Sequence, residues 1–421
     1  MSHLLDDLTH YLQESPTAWH AVDSTCERLE LVGFTPLEEG KAWKLKKGGR
    51  YLLKRGGSVC AFTIPKSAPE RIRIIGAHTD SPGLKLKPNA DIQSETFHQL
   101  GVEIYGGPLL SSWMNRDLGI AGRLVVENAQ GKIEEKLVFL DEVPLVIPQI
   151  AIHLDREVND KGLVIDKQDQ LRPILTLNPT EKPQLEPLLK EYVNFKHLLA
   201  FDLFLVPLEA PRRLGMKDEM LASYRLDNLA SSHACMAAIA SAKMNSTIQM
   251  MFLWDAEEIG SQSAEGAGST FAYDVLKRIQ HFYKMDEEEW QCLKASSLCA
   301  SVDVSHAYNP NYAKKYDSNH QSIPGKGIVI KYNASKKYVT DAKTAALVVS
   351  ACKELKLPYQ SFAGRSDMGS GSTIGPVFAS QMGMPTVDMG IPLLSMHSIR
   401  EVMAVQDHLD MCRLLTHMLE K

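Results

Sequence analysis

Apolar and polar positions change period several times along this chain, and the changes divide it. Residues 4–12 carry apolar side chains at helical spacing. Ser15-Pro16-Thr17 restarts a second amphipathic helix running toward Leu31, with Ser15 or Thr17 as its cap and Pro16 in an early turn. Residues 71–77 form a short β-rich run that spills into the polar turn His78-Thr79-Asp80-Ser81-Pro82-Gly83. Over residues 93–212 the texture differs: 102–105, 122–126 and 136–139 predict strands between Gly-rich or Asn-rich turns, and 183–192 is the one helical pattern. From 213 onward helices and strands alternate. Helices are predicted at 231–242, 271–282, 341–355 and 406–419, and strands at 248–254, 298–304, 327–331 and 359–362. This alternation predicts an α/β fold, a mixed sheet flanked by helices. One domain would comprise residues 1–92 and 213–421, interrupted by a β-rich insertion at 93–212.

Composition narrows the function classes. At 421 residues the chain exceeds what one core usually organises, and 44% apolar with 23% charged residues is an ordinary globular balance. A net charge of −5 argues against a nucleic-acid binder, and the short basic runs at 44–47 and 336–337 read as solvated surface. The seven cysteines include no Cys-x-x-Cys pair, which argues against a disulfide framework or a thiolate zinc site and fits a reducing compartment. The acidic N-terminus does not resemble a signal peptide, and the longest uncharged apolar run, 143–154, holds two prolines and is too short to span a bilayer. A cytoplasmic protein is expected, with neither membrane nor nucleic acid as partner.

The candidate chemistry sits where strand-like runs end. The first run ends in His78-Thr79-Asp80, the run at 250–254 in Asp255-Ala256-Glu257-Glu258, and the run at 299–302 in Asp303, with His306 beyond. Asp227 follows Tyr224-Arg225-Leu226 at a helix start, and Ser395-Met396-His397-Ser398 follows a Gly-Ile-Pro turn. Each has a plain structural reading: a satisfied histidine, an N-cap at Asp227, a solvated pair at Glu257-Glu258. Together they fall where α/β sheets bind ligands, beyond the carboxyl ends of strands. An Asp two residues after His78 can orient a metal-bound imidazole. Adjacent glutamates in an extended segment point apart, so one can ligate while the other faces water. The ligand candidates are His78, Asp227, Glu258, Asp303 and His397, an N/O set that suits Zn²⁺ and admits Mn²⁺ or Co²⁺.

These motifs resemble those of the aspartyl aminopeptidases, cytosolic di-zinc metallopeptidases, over nearly the whole chain. The resemblance rests on Gly76-Ala77-His78-Thr79-Asp80-Ser81-Pro82, Arg225-Leu226-Asp227-Asn228-Leu229, and Asp255-Ala256-Glu257-Glu258-Ile259-Gly260-Ser261. It continues through Ser301-Val302-Asp303, Gly371-Ser372-Thr373-Ile374-Gly375-Pro376 and Ser395-Met396-His397-Ser398-Ile399-Arg400-Glu401. It implies a zinc-peptidase-like catalytic domain in which His78 and Asp303 hold one metal, Glu258 and His397 the other, and Asp227 bridges them. It further implies that Asp80 orients His78 and that Glu257 is the general base. The insertion would be a dimerisation domain, with dimers building a twelve-subunit assembly. His153, in Ala151-Ile152-His153-Leu154, would contact substrate in a neighbouring subunit, and Lys331 and Tyr338 would lie near the substrate side chain. Two positions depart from the family pattern: Asn309-Pro310-Asn311 where His-Pro-Asn is frequent, and Ser370 where Cys is frequent.

The resulting expectation is removal of one N-terminal residue, preferably Asp or Glu, from peptides with a free N-terminus. Two alternatives stand beside it: a metal-dependent deacylase or amidohydrolase, and a non-catalytic oligomeric scaffold.

Overall fold

The computed structural model describes residues 2–94, 96–177 and 184–421, which form two compact units. The first comprises Met1–Asp80, Pro211–Met396 and Glu401–Lys421, and the second Ser81–Ala210 with His397–Arg400. The insertion predicted from residue 93 corresponds to a unit that begins at Ser81. The strand Gly83–Ser94 pairs antiparallel with Phe97–Tyr105, so both belong to one sheet. The Lys-Pro-Asn stretch inside Gly83–Ser94, and the register shift between Leu86 and Asp91, break the alternation that would have announced that strand.

The first unit holds a nine-stranded sheet. At its centre Thr247–Trp254, Arg71–His78, Leu298–Val302 and Thr386–Gly390 lie side by side and parallel. Antiparallel pairings flank this centre, to Ser58–Thr63 on one side and Ile328–Lys331 on the other. Every residue of Thr247–Trp254 is buried, as a parallel strand covered on both faces requires. Alternate side chains enter two separate cores. Met251, Leu253, Ile75 and Ala77 pack among the helices Ala18–Leu31, Leu226–Ser241 and Val405–Glu420. Met250, Phe252, Trp254 and Ile74 pack with Phe271, Trp290 and Phe378 from the opposite helices. Gly76 allows this crowding, because a Cβ there would lie 2.4 Å from the Trp254 ring. A five-stranded sheet, including Met220–Ser223 and Glu401–Ala404, completes the unit.

Helices predicted from periodicity occur at Ser2–Glu14, Ala18–Leu31, Leu226–Ser241, Phe271–Tyr283, Ala342–Leu355 and Val405–Glu420. Asp341 caps its helix through a reciprocal box with Thr344. Thr17 does sit at the second helix's N-cap, but its hydroxyl pairs with the His20 ring instead of a backbone N–H. Glu287–Ala295 and Ile374–Met382 are helices too short for the period to announce.

The second unit is a six-stranded antiparallel sheet in the order Ile133–Leu145, Leu118–Glu127, His197–Pro207, Gly83–Ser94, Phe97–Tyr105, Ile174–Leu177. A lone bridge between Val146 and Ile174 links its two edges, curling the sheet toward closure. Its one α-helix longer than a single turn among the described residues is Leu185–Tyr192; Pro183 of the predicted 183–192 helix lies outside them.

Candidate metal centre

Three of the four parallel central strands deliver a polar segment at the same sheet end. Arg71–His78 ends on His78, which is 1% exposed. Its Nδ1 lies 3.1 Å from the Asp80 carbonyl oxygen and 3.4 Å from that residue's carboxylate. Donating there fixes the tautomer and leaves Nε2 as the lone-pair nitrogen. That Nε2 faces Asp227 at 3.4 Å, Asp303 at 3.7 Å and Glu257 at 4.0 Å. His78, Asp227 and Asp303 offer ligand atoms all within 4.8 Å of one another, as do His78, Glu257 and Glu258.

Glu257 and Glu258 do not lie in the extended segment that alternation would need. Ala256 adopts a left-handed conformation (φ +62°) and throws the chain into a 3₁₀ turn, Glu257–Ile259. Asp80 holds that turn, accepting from the Glu257 and Glu258 backbone N–H groups, each at 3.1 Å. One aspartate therefore orients both the histidine and the glutamates. Positive φ values recur at Arg225 (+63°), Ser395 (+56°) and His397 (+67°), so non-glycine strain clusters beside the candidate ligands.

The electrostatics are those of a cation site. Burial alone would lower the His78 pKa, but hydrogen bonding to Asp227, Asp303 and Asp80, with the Glu257 charge, holds it well above the usual imidazole value. Glu257 is pushed up to about 8, first by burial and then by the charges of Asp303, Asp80 and Asp227, with His78 opposing. Glu258 is raised well above the carboxylate range by burial and Asp227. Asp227, Glu257, Glu258 and Asp303 crowd one imidazole with more negative charge than it can neutralise. Divalent ions bound by nitrogen and oxygen at about 2.0–2.2 Å would offset that charge. The donors fit zinc.

Comparison with known proteins settles the class. Residues 11–418 match the family described as aminopeptidase I zinc metalloprotease (M18). The chain is 40% identical over 411 residues to a probable M18 family aminopeptidase 2 of Streptomyces avermitilis, covering 96% of this chain and 94% of the relative. It belongs to the M18 family. The resemblance read from the motifs thus holds at family level, and the chain is a zinc-dependent aminopeptidase, an exopeptidase hydrolase. Among solved structures, a chain of the Ape4 and Nbr1 complex superposes with a TM-score of 0.95 at 33% identity, covering 100% of this chain and 85% of that one. A chain of the S. cerevisiae mApe1 dodecamer gives 0.84 at 28% identity, covering 98% and 95%.

Around this cluster runs a layer of bonds that no spacing rule reveals. Glu401, 2% exposed, accepts from the Asp227 backbone N–H at 2.9 Å. The Asn228 side-chain amide donates to the Val302 carbonyl at 2.9 Å, tying the Asp227 turn to the strand that presents Asp303. Arg225 donates to the Thr79 and Pro16 carbonyls, and the Ser232 hydroxyl to the His78 carbonyl at 2.7 Å. Asp227 does not act as a simple helix cap; its carboxylate turns to His78. The only early sign of this layer was that Arg225, Asn228 and Glu401 fall inside the matched motifs.

The remaining predicted residues divide. Lys331 is buried; its ammonium donates to the Val304 carbonyl at 2.8 Å, lies 3.6 Å from Asp303 Oδ2, and sits 5.1 Å from the centre of the Tyr338 ring. Burial alone would lower its pKa, but Asp303 and Tyr338 outweigh that and keep it charged. His397 belongs to the second unit, where its Nδ1 is 3.0 Å from the Gly107 carbonyl, leaving Nε2 as the lone-pair nitrogen just as in His78. His153 is exposed, between exposed Ile152 and Leu154. His306 is also exposed, its ring stacked edge-on to Phe362.

Proposed function

We propose that this aminopeptidase removes single N-terminal residues, preferably Asp or Glu, with Glu257 as general base. The observation that carries the reading is the convergence on His78 Nε2 of Asp227, Asp303 and Glu257 from three separate segments. His78 and Asp303 would hold one zinc, Glu258 and His397 a second, and Asp227 would lie between them. When bound, the two ions would polarise the scissile carbonyl and acidify water. Glu257 would take a proton from the attacking water and return it to the leaving amine. Asp80 would keep Glu257 and Glu258 in register through their backbone N–H groups. Lys331 is the positive charge that would favour an acidic N-terminal side chain, with Tyr338 shaping the same wall.

A homo-oligomer, built from dimers through the 93–212 insertion and reaching twelve subunits, fits the same reading. The mApe1 dodecamer among the solved structures and the exposed apolar run around Ile150, Ile152 and Leu154 support it. His153 would then reach substrate in a neighbouring subunit. Among the described residues no helix is long and apolar enough to cross a membrane. A cytoplasmic site of action is part of the proposal.

The test is direct. Chelator-stripped protein is reloaded with zinc, manganese or cobalt and assayed on peptides beginning with Asp, Glu, Ala or Leu, each with an N-acetylated control. Metal-dependent release of Asp and Glu, abolished by acetylation, is expected. Preferential release of Ala or Leu would overturn the acidic pocket. Cleavage of the acetylated peptides would favour a deacylase.

A further inference from the structure

Away from the centre just described, four side chains meet in the helical layer of the first unit. Asp7 comes from Ser2–Glu14, His233 from Leu226–Ser241, and His408 and Cys412 from Val405–Glu420. The last two stand one turn apart on the same helix face. His233 and His408 are completely buried and Cys412 is nearly so. His233 Nε2 lies 3.0 Å from Asp7 Oδ2, His233 Nδ1 lies 3.1 Å from His408 Nε2, and Cys412 Sγ lies 3.6 Å from that same nitrogen. We propose that His233 Nδ1, His408 Nε2 and Cys412 Sγ form a second kind of metal site, for a thiophilic divalent ion such as Zn²⁺, with Asp7 as the carboxylate behind His233.

Three observations carry this. The first is spacing: the donors of a tetrahedral zinc sit about 3.3 Å apart for two nitrogens and about 3.6 Å for nitrogen and sulfur, given bonds of about 2.0–2.1 and 2.3 Å. The three atoms lie within 4.8 Å of one another. The second is that hydrogen bonding uses the cluster only weakly: His408 Nε2–H can donate to His233 Nδ1 and at best share that proton with the Cys412 sulfur, a weak acceptor. With the His233 Nε2–H donated to Asp7, His233 Nδ1 is an acceptor, so His408 Nε2 must carry a proton to bond it. A protonated nitrogen cannot then accept from the Cys412 thiol. A cation at the centre uses all three lone pairs at once. The His408 Nδ1 has no hydrogen-bond partner among the described residues, so that ring's polar attachments all lie on its Nε2 edge.

The third observation is charge. Arg28 pairs with Asp7 at 3.0 Å and Glu14 at 2.9 Å. Those three charges leave a surplus of one negative. Binding displaces the Cys412 thiol proton to solvent, and the thiolate brings the surplus to two, which one divalent ion neutralises. Asp7 is itself half exposed, so the cluster lies one residue below the surface. The carboxylate–histidine–metal arrangement is met at His233; His408 has no such partner. Cys-x-x-Cys spacing gives no hint of this site, because the fold supplies two imidazoles and a single thiolate from distant positions. Such an ion would staple the N-terminal helix to the two helices beneath it.

Cobalt distinguishes this site from the peptidase centre, whose proposed donors are all nitrogen and oxygen. A cobalt–thiolate pair gives a near-ultraviolet charge-transfer band that N/O donors do not. The experiment uses full-length Cys292→Ser protein, since Cys292 is the exposed cysteine among the described residues. It is stripped, reloaded with Co²⁺ and read spectroscopically, and its zinc content is measured after zinc loading. The expected result is a thiolate band at one equivalent per chain. Cys412→Ser should abolish it and lower zinc content by one ion per chain, with peptidase kcat unchanged. Absence of the band in the Cys292→Ser protein, or its persistence in Cys412→Ser, would overturn the proposal and leave a hydrogen-bonded cluster. The readout stands apart from peptide specificity, so failure of the acidic-substrate reading would not mimic either outcome.

Discussion

The two sheets use their side chains in opposite ways. In the first unit the central strands are parallel, and strands such as Thr247–Trp254 are buried along their whole length. Nothing polar can be placed along such a strand without a partner, so chemistry gathers where the chain leaves the sheet, at His78, Asp303 and the Glu257 turn. In the second unit the strands are antiparallel and mix buried with half-buried positions, as in Leu118–Glu127. Polar groups there sit along the strands and pair across them: Asp202 meets Lys85 at 2.8 Å and Arg123 at 2.9 Å. A charge at a parallel strand end is crowded with its like, whereas a charge along the antiparallel strands is matched on the spot. The first arrangement suits a bound cation, and the second ties neighbouring strands together.

Substitutions at the two sheets should have effects of very different size. Glu257→Gln should lower kcat by about 10²–10⁴-fold, the usual worth of a general base, while zinc content stays unchanged. Metal analysis beside steady-state kinetics checks both halves.

Part of the candidate centre is legible in the sequence, for a physical reason. Buried parallel strands read as apolar runs, so a His or Asp closing such a run stands out, as His78 and Asp303 do. The supporting layer did not stand out. Glu401 meets Asp227, and Arg225 meets Thr79, across long stretches of chain. Bonds of that kind leave no period in the sequence. Glu257 and Glu258 lie beside His78, but in a turn instead of the extended segment that alternation assumes, because a left-handed alanine gives no compositional sign. The long helices were legible from their stripes. The Gly83–Ser94 strand was hidden by the bulge that bends it.

Glu401→Ala removes the acceptor that fixes the Asp227 turn. Zinc affinity should fall by about 10–100-fold, as for other groups that orient ligands, with competition against a chelator as the measurement. Lys331→Met should lower kcat/KM for Asp-peptides relative to Ala-peptides by roughly 10-fold or more, the worth of one charge-assisted hydrogen bond. An equal fall for both substrates would show that Lys331 acts through Asp303 instead of through the substrate.

The smallest effect belongs to the second unit. Burial would raise the Asp202 pKa, but Lys85 and Arg123 outweigh it and depress the folded value below the ordinary carboxylate. A depressed carboxylate adds stability above its unfolded pKa of about 3.9, and that stability is lost as pH falls through the folded value. Asp202→Asn should therefore lower stability at neutral pH by no more than about 1 kcal/mol, because the pair is partly exposed and screened. The difference from wild type should vanish in acid, and thermal melts across pH would show it. A loss of zinc from this variant would contradict the division drawn between the two sheets.

On this reading the segments that leave the parallel strands bring the zinc ligands together. Anomalous diffraction at the zinc edge, from crystals of zinc-loaded protein, tests it most directly. One peak is expected bonded by His78 and Asp303 and another by Glu258 and His397, with Asp227 between them. Zinc bound elsewhere, with His78 still hydrogen-bonded to bare carboxylates, would contradict it.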